Sequence, residues 1–580
     1  MQKTFKSFLL LLLPLVSIGQ QELLFLQKDT IKFESRVGGV HLDSIDLYFT
    51  PTTQLNPGGT LYNPLGTENQ FLSILSYTNG PFVKIKPQKN YYAALPHLGF
   101  LYSFGSKGAQ FLQAEYQQQL GRKTSFSFQM QQNALGEMMR HGDFTNRDVQ
   151  MHIEHAGRRY IGKYDLWYQS SEISHNNGLI DTVSANEFPL TFLAVNNEQA
   201  HSKINQAQFI SQHVFNMSKD SLRIIGPVYK NSWTLSNRIF RDSLDMLNKY
   251  DSFLIDSFTT RDQFQLAEVQ NAFGIYAKGQ RFSSEILMQA SYWDYQNLGR
   301  NLDTTELEIH LNSQWSNKGV TFQNRAKLNL VGAIGEWEES INLSLISKNN
   351  SFSFQGKFLS ELPSPYQRRY MANSSIWKLS NLKPQRSTQI RAQWSLKHRL
   401  SPYLSVNYRQ FKNRYFYLDN TWRNDTLESI GLLRLEGAIS IPFKNLGIQL
   451  RSYVNPLANK FEYIPLYDLR ARFYFNKKLF KAKKFDFILG LELKYQSEYS
   501  LLMYNSSLGI YELQELSNTQ RKLSFGEVDI FTGFQIDEFR FYFKLENLDY
   551  SWIDHDIEIL SAYPLTPLMM RIGITWDFFN

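Results

Sequence analysis

Charged side chains recur at every second position along several stretches of the chain, and these are the residues best placed to act on a passing solute. Residues 467–475 show the pattern, with Asp468, Arg470 and Arg472 alternating with apolar neighbours. Because successive side chains of an extended strand point to opposite faces, these charges share one face. Such a face acts electrostatically, since charges that line a lumen favour solutes of opposite sign.

The same alternation places a larger set of charges on the face that we assign to a lumen. The candidate lumen-lining residues are Arg391, Arg409, Arg434, Arg451, Arg470, Arg472, Arg540, Lys544, Arg571, Glu436, Asp468, Glu492 and Asp577. Cations outnumber anions in this set, which motivates the hypothesis that a pore lined by them prefers anionic solutes. The alternative is that the charges pair across strands as a structural lattice and leave no net field.

Covalent and metal chemistry find little support in the sequence. His152, Glu154 and His155 are close in sequence, but on a strand His155 points away from the other two, and a tetrahedral site needs three or four convergent ligands. The chain has no Cys, no GxSxG, no HExxH and no P-loop. We therefore predict no catalytic residues, no metal ligands, no cofactor and no enzyme activity.

The elements that position the charges are amphipathic strands, and the last residues of the chain show them best. The apolar set is Met570, Ile572, Ile574, Trp576 and Phe578, and the intervening set is Arg571, Gly573, Thr575 and Asp577. Similar alternation occurs at residues 124–132, 305–315, 388–396, 467–475, 485–495 and 539–545. The lengths of these segments match the length of about 9 to 11 residues that a tilted strand needs to cross a bilayer.

Connections between these strands alternate between short and long. Short turns are predicted at residues 121–123, 156–158, 278–280, 316–319, 347–350 and 442–445, and long ones at 170–202, 241–261 and 367–385. An outer-membrane barrel has this organisation, and no helical layer is visible that would cover the apolar faces in a soluble fold. We predict an all-β, transmembrane, antiparallel up-and-down β-barrel with an even number of strands, about 18 to 22. Residues 570–580 should pair with 539–545 and close against a first strand near 91–102, with Trp576 facing outward.

The start of the chain predicts export. Lys3 and Lys6 precede an apolar run and small residues, which is typical of a signal peptide at residues 1–19. Residues 20–96 are irregular and rich in Pro, so we interpret them as a periplasmic extension or a partial lumen plug, with the barrel at 97–580. The chain of 580 residues has a mean hydropathy of -0.37 and a net charge of +8 without a long basic run, so no nucleic-acid partner is expected.

Two places carry a resemblance to a known family. Gly105-Ser106-Lys107-Gly108-Ala109-Gln110-Phe111, with the strands around the turn at Gly121, and Tyr563-Pro564-Leu565 with the last strand resemble the β-barrel porin family of Bacteroidetes-type, Gram-negative outer membranes. The ending also resembles the signal read by the outer-membrane assembly machinery, at Arg571, Gly573, Trp576 and Phe578, although Phe579 and Asn580 follow the last matching aromatic residue.

The predicted function is that of an outer-membrane porin, giving passive or weakly selective diffusion of small hydrophilic solutes. The alternative is a non-conducting barrel that acts as an adhesin, a secretion partner or a scaffold through its long external loops. An open lumen would favour the first, and a lumen filled by residues 20–96 or by inward-folded loops would favour the second. Expected partners are outer-membrane lipid, the assembly machinery and small hydrophilic solutes, with the oligomeric state left open.

Overall fold

The structure is a computed structural model that describes most of the chain from Pro96 onwards. The described residues are 96–579 without 220–222, 244–252, 300, 381, 419–420, 426–428, 458–462, 482–483, 513–521 and 554–556. The predicted signal peptide and residues 20–95 of the irregular segment lie outside the described residues.

In the part of the chain that the structure describes, twenty-two antiparallel strands form one closed barrel. The first eleven are β1 His97–Gly105, β2 Gln110–Leu120, β3 Thr124–Leu135, β4 Phe144–Ala156, β5 Tyr160–His175, β6 Ala200–Phe215, β7 Ile224–Ser243, β8 Thr259–Lys278, β9 Phe282–Asn297, β10 Leu302–Asn317 and β11 Val320–Val331. The others are β12 Trp337–Ile346, β13 Asn350–Glu361, β14 Gln385–Leu396, β15 Tyr403–Lys412, β16 Ile430–Phe443, β17 Leu446–Val454, β18 Tyr467–Leu479, β19 Phe485–Ser500, β20 Lys522–Ile536, β21 Phe539–Glu546 and β22 Met569–Phe579. The predicted fold class is confirmed, and the strand number lies at the upper end of the predicted range.

The barrel closes where the sequence predicted it. On one side β22 pairs with β21, with Trp576 opposite Phe539, and on the other it pairs with β1, with Asp577 opposite Gly99. Trp576 is 44% exposed, as expected for a side chain on the outer wall. Among the described barrel strands, closure pairs every edge. A bilayer requires this because each unsatisfied backbone group costs roughly several kcal/mol there.

The connections sort by length between the two ends of the barrel. One end has tight turns, such as 121–123, 157–159 and 318–319, and the other has the long loops 176–199, 244–258, 362–384, 413–429, 455–466, 501–521 and 547–568. Three connections at the long-loop end are nevertheless short, at 106–109, 298–301 and 332–336. The first of these contains Gly108, whose φ of 68° suits the left-handed turn.

Several long loops contain small structures of their own. Short hairpins are formed by Arg369–Met371 with Ile376–Lys378, Arg414–Leu418 with Thr421–Asp425, Met503–Asn505 with Ile510–Glu512, and Glu558–Leu560 with Tyr563–Pro564. The α-helix Pro365–Arg368 has a capping box, in which Ser364 and Gln367 each bind the other's backbone N–H. Among the described residues, no helix has the length and apolarity that crossing a bilayer would require.

Glycines on the charged face make room for aromatic rings from the next strand. A Cβ atom on Gly573 would lie 2.2 Å from the ring of Tyr542, and one on Gly447 would lie 2.1 Å from the ring of Tyr474. Any larger residue would displace these rings. Gly573, which the sequence assigned to an assembly signal, therefore also has a packing role.

Candidate functional site

The loop after β19 reaches across the barrel to the opposite wall. The Arg238 side chain of β7 is 1% exposed, and its two terminal nitrogens donate hydrogen bonds of 2.6 Å to the backbone oxygens of Ser506 and Ser507. At least nine strands lie between β7 and β19 in either direction around the barrel. A contact between them therefore crosses the lumen at the long-loop end.

An aromatic cluster surrounds this crossing point. Its buried members come from strands β8 and β9 and from three loops: Phe264, Trp293, Tyr295, Tyr366, Tyr370, Ala372, Trp377, Tyr415, Tyr417, Trp422, Leu508 and Ile510. The rings of Tyr370 and Trp377 stack at 4.5 Å between centroids, and the Tyr366 hydroxyl donates a hydrogen bond of 3.2 Å to the Leu508 backbone oxygen. Burial of so many large apolar side chains gives the loops a core of their own.

A second apolar cluster, largely aliphatic, joins other loops. Among its members are Met138, Met139, Leu179, Leu190, Leu193, Val195, Leu501, Leu502, Leu560, Tyr563 and Leu565. Backbone hydrogen bonds add to the packing, from Leu179 N–H to the Ala562 oxygen at 2.8 Å and from Ser561 N–H to the Leu502 oxygen at 3.0 Å. We call the loop residues of the two clusters, together with Ser506 and Ser507, the mouth cover.

The predicted lumen-lining arginines of strands β14–β18 lie on the face opposite the exposed apolar side chains. Arg451 binds Glu436 and Arg470 lies 3.4 Å from Asp468, while Arg472 lies 3.2 Å from Glu492 of β19. Arg434 and Arg451 approach the ring of Tyr453, at 4.1 and 5.3 Å from its centroid. Arg391 and Arg409 face Asn407 and Gln389 across the β14–β15 pair.

A buried charge network joins strands β19–β22. Lys544 Nζ lies 2.8 Å from Asp529 and 3.3 Å from Glu546, and Arg571 lies 3.3 Å from the same Glu546. Lys494 extends the network, at 3.0 Å from Asp529 and 2.8 Å from Glu527. These groups pair across strands, which is the lattice that the sequence left as an alternative to a net field. Because these groups are buried, removing one of them would leave an uncompensated charge in the wall, which is strongly destabilising.

The family comparison agrees with this architecture. A model of the family described as "Putative porin" matches residues 51–580. The chain belongs to this porin family. The family predicted from the sequence is confirmed, while the bacterial group suggested with it is not addressed by the match. No curated protein matches the sequence of this porin.

Solved structures with a similar fold include siderophore receptors and an iron transporter. The match to the ferric enterobactin receptor PfeA covers 84% of this porin and 82% of the receptor chain, with 9% sequence identity and a TM-score of 0.56. The match to the siderophore receptor PirA from Acinetobacter baumannii covers 84% of this porin and 81% of the receptor chain, with 9% sequence identity and a TM-score of 0.55. The match to the FrpB iron transporter from Neisseria meningitidis covers 88% of this porin and 83% of the transporter chain, with 10% sequence identity and a TM-score of 0.54. At these identities the likeness shows the fold alone. Family membership and fold together imply an outer-membrane location.

The remaining predicted residues of this porin are spread over the wall. Arg540 donates a hydrogen bond of 3.0 Å to Gln535, and Asp577 lies 3.2 Å from His97. His152 hydrogen-bonds Asp165 at 2.6 Å, whereas His155 bonds Thr124 at 3.0 Å.

Sequence reasoning missed Glu527, Asp529 and Arg238. The first two lie on β20, whose alternation from residue 526 to 536 is as regular as that of the predicted strands. Arg238 carries no local pattern that distinguishes it from other strand arginines, because its loop partners are far away in the chain.

Proposed function

We propose that this protein is an outer-membrane transport barrel that passes small hydrophilic solutes through a lumen gated by the mouth cover. The single observation that carries the proposal is the contact of Arg238 with Ser506 and Ser507, which ties a loop from one wall to the opposite wall. Family membership supports a transport role, and the polar inner face supports hydrophilic solutes. The loops that cover the mouth argue for restricted passage, in place of the passive or weakly selective diffusion expected from the sequence.

The arginines of strands β14–β18 support a preference for anionic solutes. Five neighbouring strands carry six arginines on the inner face, Arg391, Arg409, Arg434, Arg451, Arg470 and Arg472, against the carboxylates Glu436 and Asp468. Ion pairing reduces the field of this wall but does not reverse its sign.

The test is the permeability of proteoliposomes and planar bilayers that contain the full chain or a variant without residues 503–512, the hairpin of the mouth cover. The wild type should swell liposomes slowly in arabinose. The variant should swell them at least ten times faster, and its reversal potential under a salt gradient should have the sign of anion selectivity. Wild-type swelling as fast as that of the variant would refute the gate, and a cation-selective variant would refute the anion preference.

A second candidate function is a non-conducting barrel that binds a partner through its loops. Two observations favour it. Loops fold across the mouth, which is the arrangement expected from the sequence for this role, and large apolar side chains are exposed at the loops, including Phe188, Phe192, which is 73% exposed, and Phe258. The same assay separates the candidates, since a folded hairpin-deletion variant that stays impermeable would refute transport and favour this role.

Closure of the mouth should depend on pH through Glu512, in the hairpin of the mouth cover. Burial raises the pKa of Glu512 from 4.5 to about 7, and the hydrogen bond that Glu512 accepts from Asn505 offsets only part of this shift. Between pH 4.5 and 7 the Glu512 carboxyl is protonated in the docked loop and ionised in the undocked loop. The free energy of docking is therefore most favourable below pH 4.5, where the carboxyl is protonated in both states. Docking weakens as pH rises towards 7, by on the order of 3 kcal/mol in total, and stays constant above.

The expected result is that wild-type conductance rises between pH 4.5 and 7 and then levels off. Glu512→Gln, which stays neutral, should abolish the rise, whereas Glu187→Gln in the exposed part of another loop should leave it intact. A pH response that persists unchanged in Glu512→Gln would show that another group controls the loop. Single-channel recordings at stepped pH make the measurement.

A further inference from the structure

Three side chains that can bind a metal meet at the seam where the barrel closes. They are His97 of β1, Glu115 of β2 and Asp577 of β22, and one nitrogen or oxygen atom from each lies within 4.8 Å of those of the other two. In the described part of the chain, no other group of three or more His, Asp or Glu residues converges in this way. The trio is distinct from the mouth cover and goes beyond the proposed transport function.

Strand register explains why the trio converges. Gly99 lies directly opposite Asp577 on one neighbouring strand and opposite Glu115 on the other, so both carboxylates flank it on one face of the sheet. His97, two residues earlier on β1, points to the same face. A Cβ atom on Gly99 would lie 2.8 Å from Cγ and 2.9 Å from Oε1 of Glu115. The glycine thus leaves the space into which the Glu115 side chain bends.

Burial and polarity make this a built site. His97 is 0% exposed, and its Nε2 atom lies 3.2 Å from an Asp577 oxygen. Gln117, the cross-strand neighbour of His97, is also buried, and its Oε1 atom has no hydrogen-bond partner among the described residues. A buried acceptor without a partner on the residue paired with His97 adds to the polar character of this part of the wall.

The donor set indicates the class of ion. One imidazole with two carboxylates is a combination found at Zn²⁺ sites, and it also suits Mn²⁺ and Co²⁺. Ca²⁺ and Mg²⁺ prefer oxygen ligands alone and would gain little from His97.

We propose that His97, Glu115 and Asp577 bind a divalent transition-metal ion, best matched by Zn²⁺, which links the first two strands to the last and holds the barrel closed. The ion would add three coordinate bonds across the β22–β1–β2 seam, in addition to the backbone ladder. Its ligands come from both ends of the barrel sequence, so the site exists only in the closed barrel.

The test uses the full-length, detergent-folded protein, stripped of metal and titrated calorimetrically with Zn²⁺ alone. One Zn²⁺ should bind per barrel, and His97→Gln or Asp577→Asn should each weaken binding by roughly a hundred-fold. Zn²⁺ should also raise the temperature at which the folded electrophoretic band of the wild type disappears, but not that of the variants.

His310→Gln is the matched control. His310 also binds a carboxylate, Glu308 at 2.8 Å, but the Lys327 ammonium contacts that same carboxylate and disfavours a metal ion. This variant should bind Zn²⁺ as the wild type does.

A measurement on the wild type alone keeps the test independent of how the variants fold. Bound Co²⁺ should give visible absorption bands that Zn²⁺ displaces. Absence of stoichiometric Zn²⁺ binding, absence of these bands, unchanged affinity in folded His97→Gln, or Ca²⁺ binding as tight as that of Zn²⁺ would each overturn the proposal.

Discussion

Replacing Arg238 with alanine should raise the open fraction of the channel by roughly a hundred-fold in single-channel recordings. The guanidinium donates two hydrogen bonds from a charged group to backbone oxygens of Ser506 and Ser507. Loss of these bonds should make the free energy of loop docking less favourable by on the order of 3 kcal/mol. Because about 1.4 kcal/mol changes an equilibrium constant tenfold, the ratio of open to closed channels should rise about a hundred-fold. The fold of the wall should be unaffected, because the backbone ladder of β7 does not involve this side chain.

Arg451→Ala is the control for this experiment. Arg451 is also an inward-facing arginine, but its contacts with the Glu436 carboxylate and the Tyr453 ring lie within the wall. It should change ion selectivity slightly and the open fraction little. If a correctly folded Arg238→Ala protein opened no more often than the wild type, the loop would not be the gate.

Replacing Lys544 with methionine should lower the free energy of unfolding by about 3 to 5 kcal/mol. The ammonium lies between Asp529 and Glu546, all three are buried, and its removal leaves the carboxylates with one cation too few. Methionine has a similar length and fills the space, so the loss is electrostatic and not a cavity effect. Urea titration of the folded barrel in lipid vesicles, followed by tryptophan fluorescence, measures the change.

Two further variants isolate the cause. Lys357→Met breaks an ion pair of the same length, 2.8 Å to Glu338, but both partners are more than a third exposed, so the cost should stay below about 1 kcal/mol. Combining Lys544→Met with Asp529→Asn restores the charge balance and should recover at least half of the lost stability. Equal losses for the Lys544 and Lys357 variants would mean that burial does not govern these pairs.

The strands were predictable to within a few residues because their pattern is local. Residues 539–545 and 570–580 were predicted as neighbouring strands, and β21 and β22 occupy 539–546 and 569–579. A period of two reports directly which side chains share a face, and the bilayer limits the strand length. The first strand was predicted near residues 91–102, and β1 occupies His97–Gly105.

The charged residues were predictable as a set but not as partners. Alternation placed Lys544, Arg571 and Asp577 on one face. It did not show that Lys544 binds Asp529 of a strand that was not predicted, or that Asp577 meets His97 across the seam. Pairing depends on strand register, and register is decided by the whole ladder of backbone bonds and side-chain contacts.

The sequence by itself determined the wall of this protein: amphipathic strands, alternating connections, a closing strand and an inner face rich in arginine. Each of these follows from neighbours in the chain, because side-chain direction along a strand is a local property. Only the tertiary structure decided that the loops cover the mouth, that the charges pair, and that His97, Glu115 and Asp577 converge. Those features join residues that the chain separates widely, and their contact depends on the circumference and register of the closed barrel.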